Sequence, residues 1–275
     1  MGFNEYLLPG ERVLPEGIVV GPDADFYAGS SADGTIYHCR LDEPEAQVWL
    51  DAGDDGRDSA LGMAIHNGTK LVICGGRTGL VFVYEIASGQ LLSRTMTDGF
   101  PNDVCIVGNT MYVTDSAQPL LHYGPIGGEL TTLDLGPAGT DAYLNGIVAT
   151  PDAILVAAQG TEMVWRVDLR TGSVSKLADG FGADGMLLVG DILYGLCNEG
   201  TSIDDAVFFL AGLRLNADAT RAEALGRFID PRFDTPTTLD TDGERFLIVN
   251  AQFAKGAAAA APFQVIAVPS TLTLR

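Results

Sequence analysis

The sequence predicts an all-β, single-domain protein over residues 1–275: a six-bladed β-propeller with four antiparallel strands in each blade. The prediction rests on short apolar runs, frequent turn residues between them, and a unit that repeats along the chain. The apolar runs are four to eight residues long and end at Gly, Asp, Asn or Pro, and the chain contains 34 Gly and 13 Pro. No long stretch has the period of an amphipathic helix, so we expect little helix.

The repeating unit begins with a short motif that opens an apolar run, and we call its first residue the anchor. The six anchors are Glu16, Leu61, Asn102, Asn145, Asp184 and Thr237, and neighbouring anchors are 39 to 53 residues apart. A second apolar run follows each anchor, as at residues 71–75 and 154–158, and third and fourth runs come next. Repeats of about 40 to 50 residues built from short strands are typical of propeller blades. The six blades are therefore predicted to begin near 16, 61, 102, 145, 184 and 237.

Two segments depart from the regular unit. The fifth unit is longer around residues 199–205, and we expect a loop there over one mouth of the central channel. Residues 3–8 precede the first unit, and we expect them to form an outer strand that closes the ring. A lone blade cannot bury both of its faces, so closure is required for stability.

The amino-acid composition limits the classes of partner that we expect for this protein. Sixteen Lys and Arg against 36 Asp and Glu give a net charge of -20. Such a chain repels phosphate backbones and anionic lipids, so we expect no nucleic-acid partner and no membrane partner. No protein partner is evident from the sequence, and the expected partner is a small-molecule substrate. The first residues lack a basic segment followed by an apolar one, which predicts a cytoplasmic protein, or a secreted one whose signal peptide has been removed. The four scattered cysteines are expected to be buried free thiols.

Four anchors have side-chain oxygens, and these predict a metal site. The first strand of each propeller blade lines the central channel, so equal positions in different blades lie on one circle. Carboxylate and amide oxygens are the ligands of hard cations, and Ca²⁺ accepts about six to eight of them. We therefore expect Ca²⁺ at the anchors with side-chain oxygens, with Mg²⁺, Mn²⁺ or Zn²⁺ as alternatives: Glu16, Asn102, Asn145 and Asp184.

Each motif taken alone also has a simpler interpretation. Asn-Gly and Asp-Gly are common turn dipeptides, so a single copy indicates only a turn. Glu16 is the most informative anchor because Glu is poor in turns and disfavoured at the buried start of a strand. Asp103 directly follows the anchor Asn102 and faces either the channel cavity or the adjoining blade.

Several motifs resemble one enzyme family. Pro15-Glu16-Gly17-Ile18, Phe100-Pro101-Asn102-Asp103-Val104, Leu144-Asn145-Gly146-Ile147 and Ala183-Asp184-Gly185-Met186 are similar to segments of the calcium-dependent six-bladed lactonases. That family includes senescence marker protein, gluconolactonase and the luciferin-regenerating enzyme, with diisopropyl fluorophosphatase more distant. The resemblance extends from about residue 12 to 268.

The resemblance implies roles for individual residues. It places the metal ligands at Glu16, Asn102, Asn145 and Asp184, gives Asp184 a second role as general base or nucleophile, and makes Asp103 a substrate-facing candidate for proton transfer. Phe100-Pro101 stands where the sugar lactonases have an arginine that helps to bind the sugar, so the resemblance does not extend to gluconolactone as the substrate.

These observations give a leading function and two alternatives. The leading hypothesis is a metal-dependent hydrolase that acts on a lactone or related ester, with the cation as Lewis acid and Asp184 as base or nucleophile. The first alternative is a metal-independent enzyme like strictosidine synthase. The second is a non-catalytic propeller that binds a small molecule and holds a structural ion. No nucleophile elbow, P-loop or nucleotide-binding fingerprint is present in the sequence.

Overall fold

The computed structural model describes residues 2–200 and 205–275. In this part of the chain, six four-stranded antiparallel sheets are arranged as the blades of a propeller. The prediction of a single-domain, six-bladed all-β propeller is confirmed. The predicted channel loop at residues 199–205 includes residues 201–204, which lie outside the described residues.

Strands are numbered in chain order, and the first blade contains β2 (Pro15–Val20), β3 (Asp25–Ser30), β4 (Ile36–Arg40) and β5 (Gln47–Leu50). The second contains β6 (Met63–His66), β7 (Lys70–Cys74), β8 (Leu80–Glu85) and β9 (Leu91–Met96). The third contains β10 (Pro101–Val107), β11 (Thr110–Asp115), β12 (Leu120–Pro125) and β13 (Thr131–Asp134). The fourth contains β14 (Leu144–Ala149), β15 (Ala153–Ala158), β16 (Met163–Asp168) and β17 (Val174–Asp179).

The fifth blade contains β18 (Met186–Val189), β19 (Ile192–Glu199), β20 (Val207–Leu215) and β21 (Ala222–Phe228). The sixth contains β22 (Pro236–Thr241), β23 (Arg245–Asn250), β24 (Phe263–Pro269) and, at its outer edge, β1 (Glu5–Leu8). Helical structure in the described residues is confined to short 3-10 turns at Asp54–Gly56, Gly76–Thr78, Gly136–Ala138, Gln159–Thr161 and Phe253–Ala258.

Strand composition follows the position of each strand in its blade. The second strands β3 and β15 are buried along their whole length, since neighbouring blades cover both faces. The outer strand β9 instead alternates between half-buried and exposed residues. Continuous apolar runs therefore mark strands deep in the blade, and alternating runs mark strands at its rim.

The first strand of the chain closes the ring. β1 pairs with β24, with Glu5 opposite Ile266 and Leu8 opposite Phe263, so the expected outer strand near residues 3–8 is confirmed. Tyr6 of β1 is fully buried and packs edge-on against Phe26 of the first blade, with ring centroids 5.2 Å apart. The last blade thus combines both ends of the chain and packs directly against the first.

Two further predictions concern membranes and cysteines. None of the helices in the described ranges is long and apolar enough to cross a membrane. All four cysteines are free thiols, as predicted, and three of them are buried. Cys105 is only partly buried.

Candidate functional site

β-bulges place the anchors on the channel wall. In the first blade Pro15 pairs with Ser30 but Gly17 pairs with Gly29, so β2 contains one extra residue, Glu16, between the two pairs. The inner strands of the third, fourth and sixth blades have the same one-residue shift at Asn102, Asn145 and Thr237. A bulge turns a side chain out of the regular pleat and is common beside active sites. These anchors are therefore bulge residues within strands and not turn residues.

The glycine after the anchor is explained by the packing of neighbouring blades. A side chain at Gly17 would overlap the backbone carbonyl of Leu61, and one at Gly146 would overlap that of Asp184. The amide of Gly146 donates to the Asp184 carbonyl at 2.7 Å, which joins the fourth blade to the fifth. The Asn-Gly and Asp-Gly pairs thus mark close contact between inner strands, and the alternative of ordinary turns does not describe them.

The four predicted ligands lie around one cavity of about 300 Å³. Glu16, Asn102 and Asn145 are buried, whereas Asp184 is partly exposed. The other two anchors do not provide ligands: Leu61 contributes an apolar wall, and Thr237 donates its hydroxyl to the Glu16 carbonyl at 2.9 Å. Residues separated by more than 160 positions in the chain therefore meet at one site.

Two oxygens in this cavity have no hydrogen-bond partner among the described residues. They are Glu16 Oε2 and Asn102 Oδ1, and both are buried. Burying a polar atom without a partner costs about 1 to 3 kcal/mol, and more for a charged group. Unpaired oxygens beside a cavity fit a cation ligand, so the residues present are suited to the ion that the sequence predicts.

The donor set favours a hard cation. It combines two carboxylates with two amide oxygens, which is the chemistry of Ca²⁺ sites. Within residues 2–200 and 205–275 no group of three or more His, Cys, Asp and Glu side chains is arranged to hold a metal ion. Zn²⁺ prefers nitrogen and sulfur ligands, so it is the weakest of the four candidate ions here.

Ser116 fixes the orientation of the Asn102 amide. Asn102 Nδ2 donates to Ser116 Oγ at 2.7 Å, and Ser116 Oγ donates to the Leu144 carbonyl at 2.6 Å. The amide nitrogen is thereby held by protein, and Oδ1 is left without a partner. This chain of two hydrogen bonds also links the third blade to the fourth.

Asp115 holds the backbone at Phe100 and Ala117, close to Asn102 and Ser116. Its carboxylate accepts hydrogen bonds from the backbone amides of Phe100 at 3.0 Å and Ala117 at 2.9 Å, and it contacts His122 Nε2 at 3.1 Å. Burial raises the pKa of Asp115, but the hydrogen bonds from His122, Phe100 and Ala117 together bring it below its ordinary value. The buried Asp115–His122 pair is therefore a support for the Asn102 segment.

Gln159 orients Asn145 in the equivalent way. Asn145 Nδ2 donates to Gln159 Oε1 and to Asp184 Oδ1, each at 2.9 Å. In the fourth blade, Gln159 follows Ala158, which pairs with Leu144. In the third blade, Ser116 follows Asp115, which pairs with Pro101. The same position of two successive blades thus supplies the group that orients the amide of the anchor.

Replacing Ser116 by Ala is expected to weaken Ca²⁺ binding about tenfold, because the Asn102 amide loses the bond that keeps its oxygen available. Isothermal titration with Ca²⁺ measures this change, and Ser116→Thr, which retains a hydroxyl, should restore most of the affinity. Ser270→Ala removes a hydroxyl that bonds the Glu244 carbonyl at 2.8 Å outside the cavity, and it should leave Ca²⁺ affinity unchanged. An unchanged dissociation constant in Ser116→Ala would contradict this role.

Burial raises the pKa of both carboxyl groups in the cavity. For Glu16, burial is the largest cause, followed by the negative charges of Asp184 and Asp103, and the pKa lies well above its usual range. For Asp184, burial and the charge of Asp103 raise the pKa to about 7, against the opposing effect of hydrogen bonds from Asn145 and Gln159. Close negative groups without compensation are a further property expected of a cation site.

Asp103 lines a different cavity from Glu16 and Asp184, although its charge acts on both of them. It lines a second cavity of about 320 Å³ further along the inner strands, and it is not among the residues that line the cavity of Glu16 and Asp184. Its carboxylate accepts from the backbone amides of Val104 at 2.8 Å and Ile147 at 3.3 Å, which fastens the third blade to the fourth. Asn102 and Asp103 lie together in the bulge of β10, opposite Thr114, and their side chains line different cavities. Burial raises the pKa of Asp103 to about 7.

Several other residues line the cavity, although the sequence did not predict them as part of the metal site. Ser59, Phe100 and Tyr143 each precede an anchor by two positions, so the repeat itself could have identified them. Tyr143 has a φ of 45°, an unfavourable backbone conformation for a bulky residue. Phe253, from the 3-10 turn Phe253–Ala258, also lines the cavity, and nothing in the repeat predicts it.

Comparison with known proteins gives similarity at the level of fold. No protein-family profile matches the chain, and no curated protein matches it in sequence. A solved structure of the calcium-binding protein regucalcin from Agrobacterium tumefaciens is similar with a TM-score of 0.70 and 16% identity, covering 99% of this chain and 97% of that one. The RRP9 WD40 repeats give a TM-score of 0.69 and 14% identity, with 97% of each chain covered.

A third neighbour is an enzyme. The catalytically inactive form of virginiamycin B lyase from Staphylococcus aureus, solved with quinupristin, has a TM-score of 0.65 and 11% identity, with 95% of this chain and 82% of that chain covered. The three neighbours comprise a calcium-binding protein, a WD40 repeat protein and a lyase, and all share 16% identity or less with this chain. Their similarity establishes the propeller fold alone, and the function must be inferred from the side chains of the cavity.

Proposed function

We propose that this protein is a hydrolase of a lactone or related ester that depends on a divalent cation, with Ca²⁺ the first candidate. The observation that supports this most directly is the pair of unpaired buried oxygens, Glu16 Oε2 and Asn102 Oδ1, in the cavity that Asn145 and Asp184 also line. The fold neighbour regucalcin is described as a calcium-binding protein, which is consistent with a cation in this type of propeller.

Four side chains would hold the ion: Glu16, Asn102, Asn145 and Asp184. When bound, a divalent cation polarises an ester carbonyl and stabilises the negative charge that develops on its oxygen. The protein's own contribution is to hold the ligands before the substrate arrives, so that little reorganisation is needed during the reaction. Ser116 and Gln159 perform that task for the two amides.

Asp184 is the residue that we assign to proton transfer or direct attack. It is partly exposed in the cavity, and Asn145 Nδ2 holds its Oδ1 at 2.9 Å. A carboxylate fixed in this way can accept a proton from water as the water oxygen bonds to the carbonyl carbon. It can also attack that carbon itself: the bond from the carbon to the ester oxygen breaks, that oxygen takes a proton from water, and hydroxide then cleaves the acyl-enzyme anhydride to release the acid. Binding of a cation lowers the basicity of a carboxylate, so water activation requires that Asp184 retain one oxygen for the proton.

A hydrolase screen with and without a chelator tests the proposal. The panel contains a lactone, an aryl ester and an organophosphate, each with added Ca²⁺ or with EDTA. We expect hydrolysis of at least one lactone or ester, a loss of about 100-fold or more in EDTA, and recovery when excess Ca²⁺ is added. Activity that EDTA does not change would favour the metal-independent enzyme. Ca²⁺ binding without turnover of any panel member would favour the non-catalytic propeller.

A further inference from the structure

Four of the eight other described residues that line the cavity are aliphatic or aromatic. Leu61 occupies one anchor position, and Phe100, Tyr143 and Phe253 line the cavity beside it. Tyr143 is 47% exposed and Phe253 is 39% exposed, so both aromatic side chains present surface to solvent at the opening. Apolar side chains grouped around a cavity that contains a few fixed polar groups are typical of small-molecule sites.

The serines of the wall donate their hydroxyl hydrogens to the protein. Ser31 Oγ donates to the Leu14 carbonyl at 2.8 Å, and Ser59 Oγ donates to the Ser31 carbonyl at 3.2 Å. Gln159 is also engaged, because its Oε1 accepts the hydrogen bond from Asn145. A substrate hydroxyl that enters this wall could donate to the serine oxygens but would receive no hydrogen bond from the serine hydroxyls.

Arg77 is the cationic residue among the described residues that line the cavity, and it is also engaged. Its guanidinium donates to the backbone carbonyls of Ser31 at 2.7 Å and Ala32 at 3.0 Å, and to that of Asp58. An anionic substrate would have to compete with these three carbonyls for Arg77.

We infer that the substrate of the hydrolase proposed above is a compact, neutral, apolar ester or lactone, such as a lactone with an alkyl substituent. The inference rests on that proposed function. The carbonyl would lie beside the four oxygen ligands, and the substituent would pack against Phe100, Tyr143 and Phe253. A polyhydroxylated lactone is disfavoured, because each hydroxyl that loses water without a new partner weakens binding.

The reaction balances without a further reactant. The oxygen of one water bonds to the carbonyl carbon, the bond from that carbon to the ring oxygen breaks, and the ring oxygen takes a proton from the water. The product is a hydroxy acid, which is ionised at neutral pH and has therefore released one proton. The neutral substrate thus becomes an anion in the cavity.

Three six-membered lactones test the inference in the presence of Ca²⁺: δ-valerolactone, δ-octanolactone, which adds a propyl group, and glucono-δ-lactone, which adds ring hydroxyl groups and a hydroxymethyl group. After correction for uncatalysed hydrolysis, we expect kcat/KM for δ-octanolactone to exceed that for glucono-δ-lactone by about 100-fold or more. An equal or higher value for glucono-δ-lactone would overturn the inference and leave the hydrolase proposal intact.

Hydrolysis of none of the three lactones would count against the hydrolase proposal instead. Calorimetric binding of the intact lactones then decides the inference: tighter binding of δ-octanolactone supports it, and equal or absent binding overturns it.

Phe253 provides a matched set of variants. Phe253→Ala is expected to lower kcat/KM for δ-octanolactone about tenfold and to change that for δ-valerolactone by less than about twofold, while Phe253→Leu keeps most of the activity. Ile229→Ala removes a 50% exposed apolar side chain that does not line the cavity, and it should change neither value. An equal loss on both lactones in Phe253→Ala would overturn the assignment of the alkyl group to this wall.

Discussion

Replacing Glu16 by Gln, or Asp184 by Asn, is expected to abolish both Ca²⁺ binding and hydrolysis while the propeller stays folded. Each change keeps the shape of the side chain but removes one of the two negative charges at the cavity. We expect kcat/KM to fall by about 1,000-fold or more, since the same change removes charge that holds the ion and, at Asp184, the acceptor of the proton. Calcium titration, steady-state kinetics and circular dichroism on the same preparations measure the three properties.

Two comparison variants make that result specific. Asp191→Asn removes a carboxylate that is 66% exposed and lies outside the cavity, and it should retain full activity. Asp103→Asn should also retain turnover, although it disturbs the hydrogen bond to Ile147 between the third and fourth blades. Wild-type activity in both Glu16→Gln and Asp184→Asn would rule out this cavity as the active site. Loss of turnover in a well-folded Asp103→Asn would show that Asp103 has a catalytic role.

The second large effect concerns the stability of the protein in a chelator. Glu16, Asp103 and Asp184 all have pKa values raised by burial, to about 7 for the two aspartates. At pH values between 3.8, the ordinary pKa of an aspartate, and about 7, the folded protein binds more protons than the unfolded chain. The free energy of unfolding must then fall as pH rises through this interval. We expect a loss of about 2 to 4 kcal/mol between pH 5 and pH 8 in EDTA.

Calcium and a double variant separate the possible causes of that loss. Saturating Ca²⁺ should restore stability at pH 8, because the ion compensates the ionised carboxylates. The double variant Glu16→Gln, Asp184→Asn should be more stable than the wild type in EDTA at pH 8 and should not respond to Ca²⁺. Thermal unfolding followed by circular dichroism measures all of these values. A melting temperature in EDTA that rises from pH 5 to pH 8, or the same decline in the double variant, would contradict the explanation.

The fold was predictable because every blade repeats one pattern of burial. Strands such as β15 are buried on both faces and therefore appear in the sequence as unbroken apolar runs. The anchors were predictable for a related reason: four equivalent positions have oxygen ligands, and a ring brings equivalent positions together. No single motif would have sufficed, since Asn145-Gly146 alone indicates a turn.

Other properties of the site depend on contacts that the sequence does not encode locally. The glycines at 17 and 146 are required by the backbone of the next blade, which is about 40 residues away along the chain. Asp103 follows a ligand, but in the bulge of β10 its side chain lines a different cavity. Phe253 lines the cavity from a connection between strands of the last blade, and the length and path of such connections are not fixed by the repeat.

The pairing of β1 with β24 has a consequence for biosynthesis. Residues 5–8 leave the ribosome long before their partner strand, Phe263–Pro269, so the sixth sheet cannot be completed until that strand has been made. Until then β1 has no partner strand, and an unpaired strand is prone to association with other chains. The proposed ion pocket draws on blades one, three, four and five, and those blades reach their final positions only when the circle is complete. Acquisition of calcium by the nascent protein should accordingly be a late event, and it can serve as a reporter for finished assembly.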